Sequence, residues 1–218
     1  NLTFVDTTQG TIVDRTSRSR VGWSVIPIDA DCDRSIDLFV ANGHVTQMPS
    51  EDCAQQSSLL RGRSEGFEEA RDAGRWFEAP WHARGACRVD LNDDGLDDLV
   101  VSLIDTPAAL LLNDSLTNGN RIQLRLIGTR SCRSAEGTLI EVETASGKTT
   151  HIMTRNAGYL SSNSSAITLG LGADKTIDRL RIHWPGGSIQ DLGPVASGKS
   201  YTVIQDRQRL VNEAASRE

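Results

Sequence analysis

The chain has 218 residues, 38% of them apolar, enough for a packed core and too apolar for intrinsic disorder. Nineteen glycines and only two methionines argue against a helical bundle and for an all-β fold of many short strands joined by tight turns. The net charge is −6, but nine of the 29 acidic residues lie in two short loops, leaving the rest near neutral and without the basic surface of a nucleic-acid binder.

In chain order the first pattern is Leu2-Thr-Phe4-Val-Asp6, which reads as a strand. The arginine-rich run Arg15 to Arg20 follows and reads as a solvated loop. Val25 to Ile28 and Leu38 to Val40 are apolar runs on either side of the acidic loop Asp29 to Asp37. The arrangement returns at an offset of 61 residues, where Cys87 to Val89 and Leu99 to Val101 flank Asp90 to Asp98. A second marker, Phe4 in its short strand pattern, recurs as Phe67 at an offset of 63. Two markers in step indicate a repeated unit whose length suits one four-stranded propeller blade. Residues 1–114 therefore hold about two blades, each with its acidic loop closing a hairpin, and completion of a ring would need further blades from sequence upstream.

The loops carry the chemistry. Asp90, Asn92 and Asp94 stand at alternate positions, so their oxygens can turn inward on one hard cation. Gly95 permits the sharp turn, Leu96 offers a backbone carbonyl, and Asp98 closes the set from the next strand. Without a cation these carboxylates would repel one another at short range. The first loop repeats the pattern with Asp29, Asp31, Asp33 and Asp37, and Ser35 as carbonyl donor, but Arg34 stands where the glycine should be. That substitution predicts a weaker site, through lost positive-φ tolerance and an added cation. Asp93 and Asp97 are expected to point outward. The implied cofactor is Ca²⁺, one or two ions; these are not EF-hands, because Val40 and Val101 occupy the place of the twelfth-position carboxylate.

Leu116 to Asn120 reads as a polar linker, and a second β unit is expected over residues 115–206. Its signature is alternation: Ile122, Leu124 and Leu126, then Leu180, Ile182 and Trp184, are apolar between polar neighbours. Trp184-Pro-Gly-Gly187 reads as a tight turn, and residues 207–218 as a polar tail with the character of a frayed helix. No apolar run is long enough to span a membrane. The four cysteines have no C-x-x-C spacing. Position 4 of the first loop faces Cys32 away from a metal and toward a bridge with Cys53, with Cys87 as the competing partner. His44, His82, His151 and His183 form no H-E-x-x-H pair and no G-x-S-x-G elbow occurs, so no catalytic constellation emerges.

The runs Gly22 to Val25, Asp29 to Asp33, Ile36 to His44, Arg84 to Ala86 and Asp90 to Gly95 resemble FG-GAP/VCBS-type repeats of calcium-binding β-propellers. Leu126 to Ser131, Gly158 to Ser162, Leu169 to Gly172 and Ile182 to Gly187 resemble the ASPIC/UnbV domain that follows such propellers in exported bacterial proteins and in cartilage acidic protein. This resemblance implies a propeller fragment followed by a small β-sandwich-like domain, secreted or extracellular, with calcium in the blade loops. It further implies adhesion or interaction with an extracellular protein or glycan. A rival expectation is part of a polysaccharide-active enzyme or glycan-binding protein, with Trp76, Phe77 and Trp81 either stacking on sugar rings or filling a blade core.

Overall fold

A computed structural model describes residues 3–45, 53–104, 106–116, 119–207 and 210–212. Among the described residues the chain is all-β apart from one short helix, α1 (Ile12–Ser17), and a single 3-10 turn at Arg75–Glu78. Thr11 caps α1 by accepting from the Asp14 backbone N–H at 3.3 Å. The arginine-rich run thus ends a helix instead of lying in a loop: Arg18 pairs with Asp14 one turn back, and Arg20 donates to Ser58 Oγ at 2.7 Å.

The first sheet is an antiparallel meander of β1 (Gly22–Ile28), β2 (Asp37–Asn42), β3 (Ser58–Arg63) and β4 (Gly66–Glu69) in chain order. The second starts the same way with β5 (Ala83–Val89), β6 (Asp98–Leu103) and β7 (Ala109–Leu111), giving three strands among the described residues. In both, the acidic loop joins a paired hairpin, with Ile28 opposite Asp37 and Val89 opposite Asp98. The two sheets share one core, in which Ile26, Ile28 and Phe39 meet Ala83, Ala86, Leu99 and Val101. Alanines on β5 let that strand approach β1 closely, and the sheets follow one another in the manner of propeller blades. Residues 3–8 form no strand and Phe4 is 98% exposed, so the expected strand is not made there; Leu2 lies outside the described residues.

A second core belongs to the C-terminal sheets. One sheet runs β11 (Ala166–Gly172), β8 (Asn120–Ile127), β16 (Lys199–Ile204), β17 (Leu210–Asn212). The facing sheet runs β10 (Gly147–Ile152), β9 (Leu139–Thr144), β13 (Arg179–His183), β14 (Ile189–Leu192). A small pair, β12 (Thr176–Ile177) with β15 (Val195–Ala196), sits beside them. Ile122, Leu124 and Leu126 point inward from one sheet and Ile140, Leu180 and Ile182 from the other, as the alternation requires. β8 and β16 run parallel, whereas every other described pair is antiparallel. The Trp184 turn closes as expected, with Gly186 and Gly187 at φ +96° and +93° and the indole donating to Gln190 Oε1.

Two expectations need correction here. The tail is not helical where it is described: Leu210–Asn212 is β17, which pairs with β16 and completes its edge, while 208–209 and 213–218 lie outside the described residues. The Cys32 to Cys53 bridge is not formed, and no disulfide joins the cysteines among the described residues. Cys32 sits in the acidic loop at one end of β2, whereas the Cys53 carbonyl accepts from His44 N–H at the other end. Six strand residues separate those ends by roughly 20 Å, far beyond disulfide reach.

His151, on β10, is pushed down to about 4 by burial, with Arg88 and Arg34 adding to the effect. Its folded value lies below the unfolded 6.5, so its contribution to stability is complete above pH 6.5 and is lost as pH falls toward 4. The expected loss is up to about 3 kcal/mol, at roughly 1.4 kcal/mol per pKa unit. His151→Gln should flatten the pH dependence of urea unfolding between pH 7 and 4.5; an unchanged slope would exclude this histidine as its source.

Candidate metal centre

The two loops fold alike, bond for bond. Asp29 Oδ2 accepts from Arg34 N–H at 3.1 Å, and Asp90 Oδ2 from Gly95 N–H at 2.8 Å. Asp33 Oδ1 accepts from Ser35 N–H at 2.7 Å, and Asp94 Oδ1 from Leu96 N–H at 2.7 Å. Asp37 Oδ2 accepts from Ala30 N–H at 2.9 Å, and Asp98 Oδ2 from Leu91 N–H at 2.7 Å. Their other oxygens also match, Asp37 Oδ1 taking Gly62 N–H and Asp98 Oδ1 taking Asn113 N–H. Each loop turns through two successive positive-φ stretches, at Cys32 (57°) and Arg34 (81°) in the first and at Asp93 (60°) and Gly95 (83°) in the second.

Arg34 therefore adopts the glycine conformation. Its head group does not enter the loop: Nη2 donates to the Gly147 carbonyl at 3.1 Å and Nη1 lies 3.8 Å from Asp174. The cation that should weaken the first site is neutralised elsewhere. In that loop Asp29, Asp31 and Asp37 each bring a carboxylate oxygen to within 4.8 Å of the others. Asp29 is 8% exposed, and its Oδ1 is buried with no hydrogen-bond partner among the described residues. Burial pushes Asp29 up to about 7, with smaller upward contributions from Asp33, Asp37 and Asp31, and burial likewise raises Asp37. An orphaned, buried carboxylate oxygen among other carboxylates is costly unless a cation compensates it, so this donor set fits a hard, oxygen-seeking ion. In the second loop Asn92 Nδ2 donates to Asp94 Oδ2 at 2.8 Å, drawing two of its expected ligands together, and Asp90 lies beside them through the Asp94 N–H bond.

Both loops press against the C-terminal sandwich. A β-carbon placed on Gly170 of β11 would lie 2.0 Å from Asp29 Oδ2, and one on Gly119 would lie 2.5 Å from the Cys32 carbonyl. Gln123 Nε2 donates to Asp90 Oδ2 at 2.6 Å, and Arg121 Nη2 to the Asp94 carbonyl at 2.5 Å. Asp97 does not face solvent as its loop position implies. It is 5% exposed, accepts from Arg88 Nη1 at 2.8 Å and from the Thr168 hydroxyl at 2.9 Å, and so ties β5 to β11. Asn163 adds a bond to the Arg88 N–H at 2.9 Å. Across the upper ends of β1 and β5, Tyr159 N–H donates to Ser24 Oγ and Ser161 Oγ to the Ala86 carbonyl, while Tyr159 meets Trp23 edge-on at 4.8 Å. Arg88, Gln123, Asn163 and Thr168 carry this joint, and sequence reasoning missed all four because the bonds of Gln123, Asn163 and Thr168 reach residues 33 to 75 positions away and bury the local Arg88–Asp97 pair.

No helix among the described residues is long and apolar enough to cross a membrane. Residues 128–210 match the family model for ASPIC and UnbV, which covers most of the C-terminal sandwich. No curated protein matches the chain.

Proposed function

We propose that this chain is a calcium-stabilised interaction module of the cell exterior, in which each acidic loop holds one Ca²⁺ and the loaded loops brace the sandwich against the blades. Asp29, Asp31, Asp33 and Asp37 with the Ser35 carbonyl would hold one ion, and Asp90, Asn92, Asp94 and Asp98 with the Leu96 carbonyl the other. The observation that carries the reading is the buried Asp29 Oδ1, which has no partner among the described residues. The blade sheets are of the FG-GAP/VCBS type in this reading. Their order, ahead of a segment matching ASPIC and UnbV, supports kinship with secreted proteins of the cartilage acidic protein kind. The role is adhesion or partner binding, with no catalytic step assigned to these residues.

The test is calcium titration by calorimetry with thermal melting in calcium and in EDTA. Two ions are expected, and a native-state ligand at a hundredfold excess over its Kd adds about 2.7 kcal/mol per site. Because Arg34 swings clear, Asp29→Asn and Asp90→Asn should each remove one ion with similar losses of melting temperature. Metal-free protein, verified by elemental analysis, that melts as the calcium-treated protein does would refute the proposal.

A further inference from the structure

Beside the first acidic loop lies a cleft of about 430 Å³, within the range of roughly 300–1,000 Å³ typical of small-ligand pockets. Its walls come from both blade sheets, and Trp76, Phe77, Arg61, Asp72 and Asp31 all border it. The two aromatic residues pack only partly into the blade core. Trp76 stacks on Trp81 at 5.7 Å with the planes 8° apart, and Phe77 meets Trp76 edge-on at 5.2 Å. The Trp81 indole donates to the Trp76 carbonyl at 2.9 Å, but Trp76 Nε1 has no acceptor among the described residues. A tryptophan whose only purpose is packing usually pairs that N–H when it is buried. At the cleft's border Arg61 Nη2 meets Asp72 Oδ1 at 2.9 Å, and Asp72 remains 71% exposed.

We propose that this cleft binds a glycan, with a sugar ring lying over Trp76 and Phe77 and its hydroxyls shared by Arg61 and Asp72. A pyranose has an apolar C–H face and a polar rim, and the cleft offers the complement of each: aromatic rings for the face, and a planar donor beside a carboxylate acceptor for the rim. A small tilt of the indole would offer Trp76 Nε1 to a further hydroxyl. Asp31 belongs both to this wall and to the proposed metal cluster, so a cation in the first loop would sit next to the ligand. A partly open recess of this size suits one segment of a carbohydrate better than a protein partner, whose stable interfaces bury on the order of 1,200–2,000 Å². The site deepens the interaction reading by naming its partner class, but it does not require the metal to be present.

The experiment is a titration of the whole chain, followed by tryptophan fluorescence and calorimetry, with cello-, manno-, xylo- and galacto-oligosaccharides and their uronate counterparts, in calcium and in EDTA. At least one series is expected to bind, with affinity reduced about tenfold or more in Trp76→Leu and in Arg61→Gln. Arg61 borders the cleft on the same face of β3 as Leu59, with its side chain 30% exposed, and glutamine keeps much of its length, so Arg61→Gln should fold and keeps the test valid if Trp76→Leu folds poorly. No binding in any series, or binding that both folded variants retain, would overturn the proposal. Sugar binding that persists in a chain shown to take up no calcium would uphold the cleft and refute the metal reading alone.

Discussion

Asp97→Ala is expected to destabilise the chain by about 3–5 kcal/mol, the cost of removing one member of a buried ion pair and stranding the other. Arg88 is 7% exposed and pairs with the Asp97 carboxylate at 2.8 Å. Removal would leave a guanidinium under the sandwich without its counter-charge and would also strip the Thr168 hydroxyl of its acceptor. Asp97→Asn keeps the shape and can still accept from Thr168, so it isolates the charge and should account for most of the loss. Replacing both members, as Arg88→Met with Asp97→Leu, should recover much of it, since well-packed apolar pairs often match buried ion pairs. Urea unfolding of the four proteins decides the matter. A loss below about 1 kcal/mol for Asp97→Ala, the value of a surface pair, would mean that water reaches Arg88 and that the joint is open in solution.

Gly170→Val is expected to destabilise the chain too, by a different route. The added β-carbon would fall 2.0 Å from Asp29 Oδ2 and 3.0 Å from the Cys32 backbone carbon. Asp29 is short and buried, and Cys32 is held by its carbonyl, which accepts from Gly172 N–H at 3.0 Å, so neither group can step aside. Overpacking of this kind costs about 1–3 kcal/mol. Because the displaced atom belongs to a proposed ligand, calcium uptake should drop by one ion as well. Melting and calcium titration of the same sample separate the two losses: reduced stability with full uptake would show that the sandwich moves and the loop does not.

How far the sequence revealed this arrangement depends on the range of the interaction. The hairpins around Asp29 and Asp90 were legible because acids at alternate positions between two apolar runs form a local signal. The inward sets of β8 and β13 were legible because a period of two survives any tertiary context that buries one face. Asp97 was not, since its burial is decided by Thr168, which lies 71 residues later. Arg34 misled for a related reason: the acceptor for its head group is the carbonyl of Gly147, in another sheet. Gly119 and Gly170 carry no positive φ, so they are not turn residues; they are small because another backbone passes close by, and composition alone cannot tell these uses apart. β17 is three residues long, too short for any periodicity to register.

The parallel pairing of β8 and β16 has a mechanical consequence. Traction applied between the start of β8 and the end of β16 pulls these neighbours in opposite directions along their shared ladder, which pairs Ile122 through Ile127 with Lys199 through Ile204. The load then falls on all of those hydrogen bonds together, as shear, whereas an antiparallel hairpin pulled from its open end yields one rung at a time. β17, with three paired residues on the outer side of β16, would peel away first and leave that ladder to bear the tension.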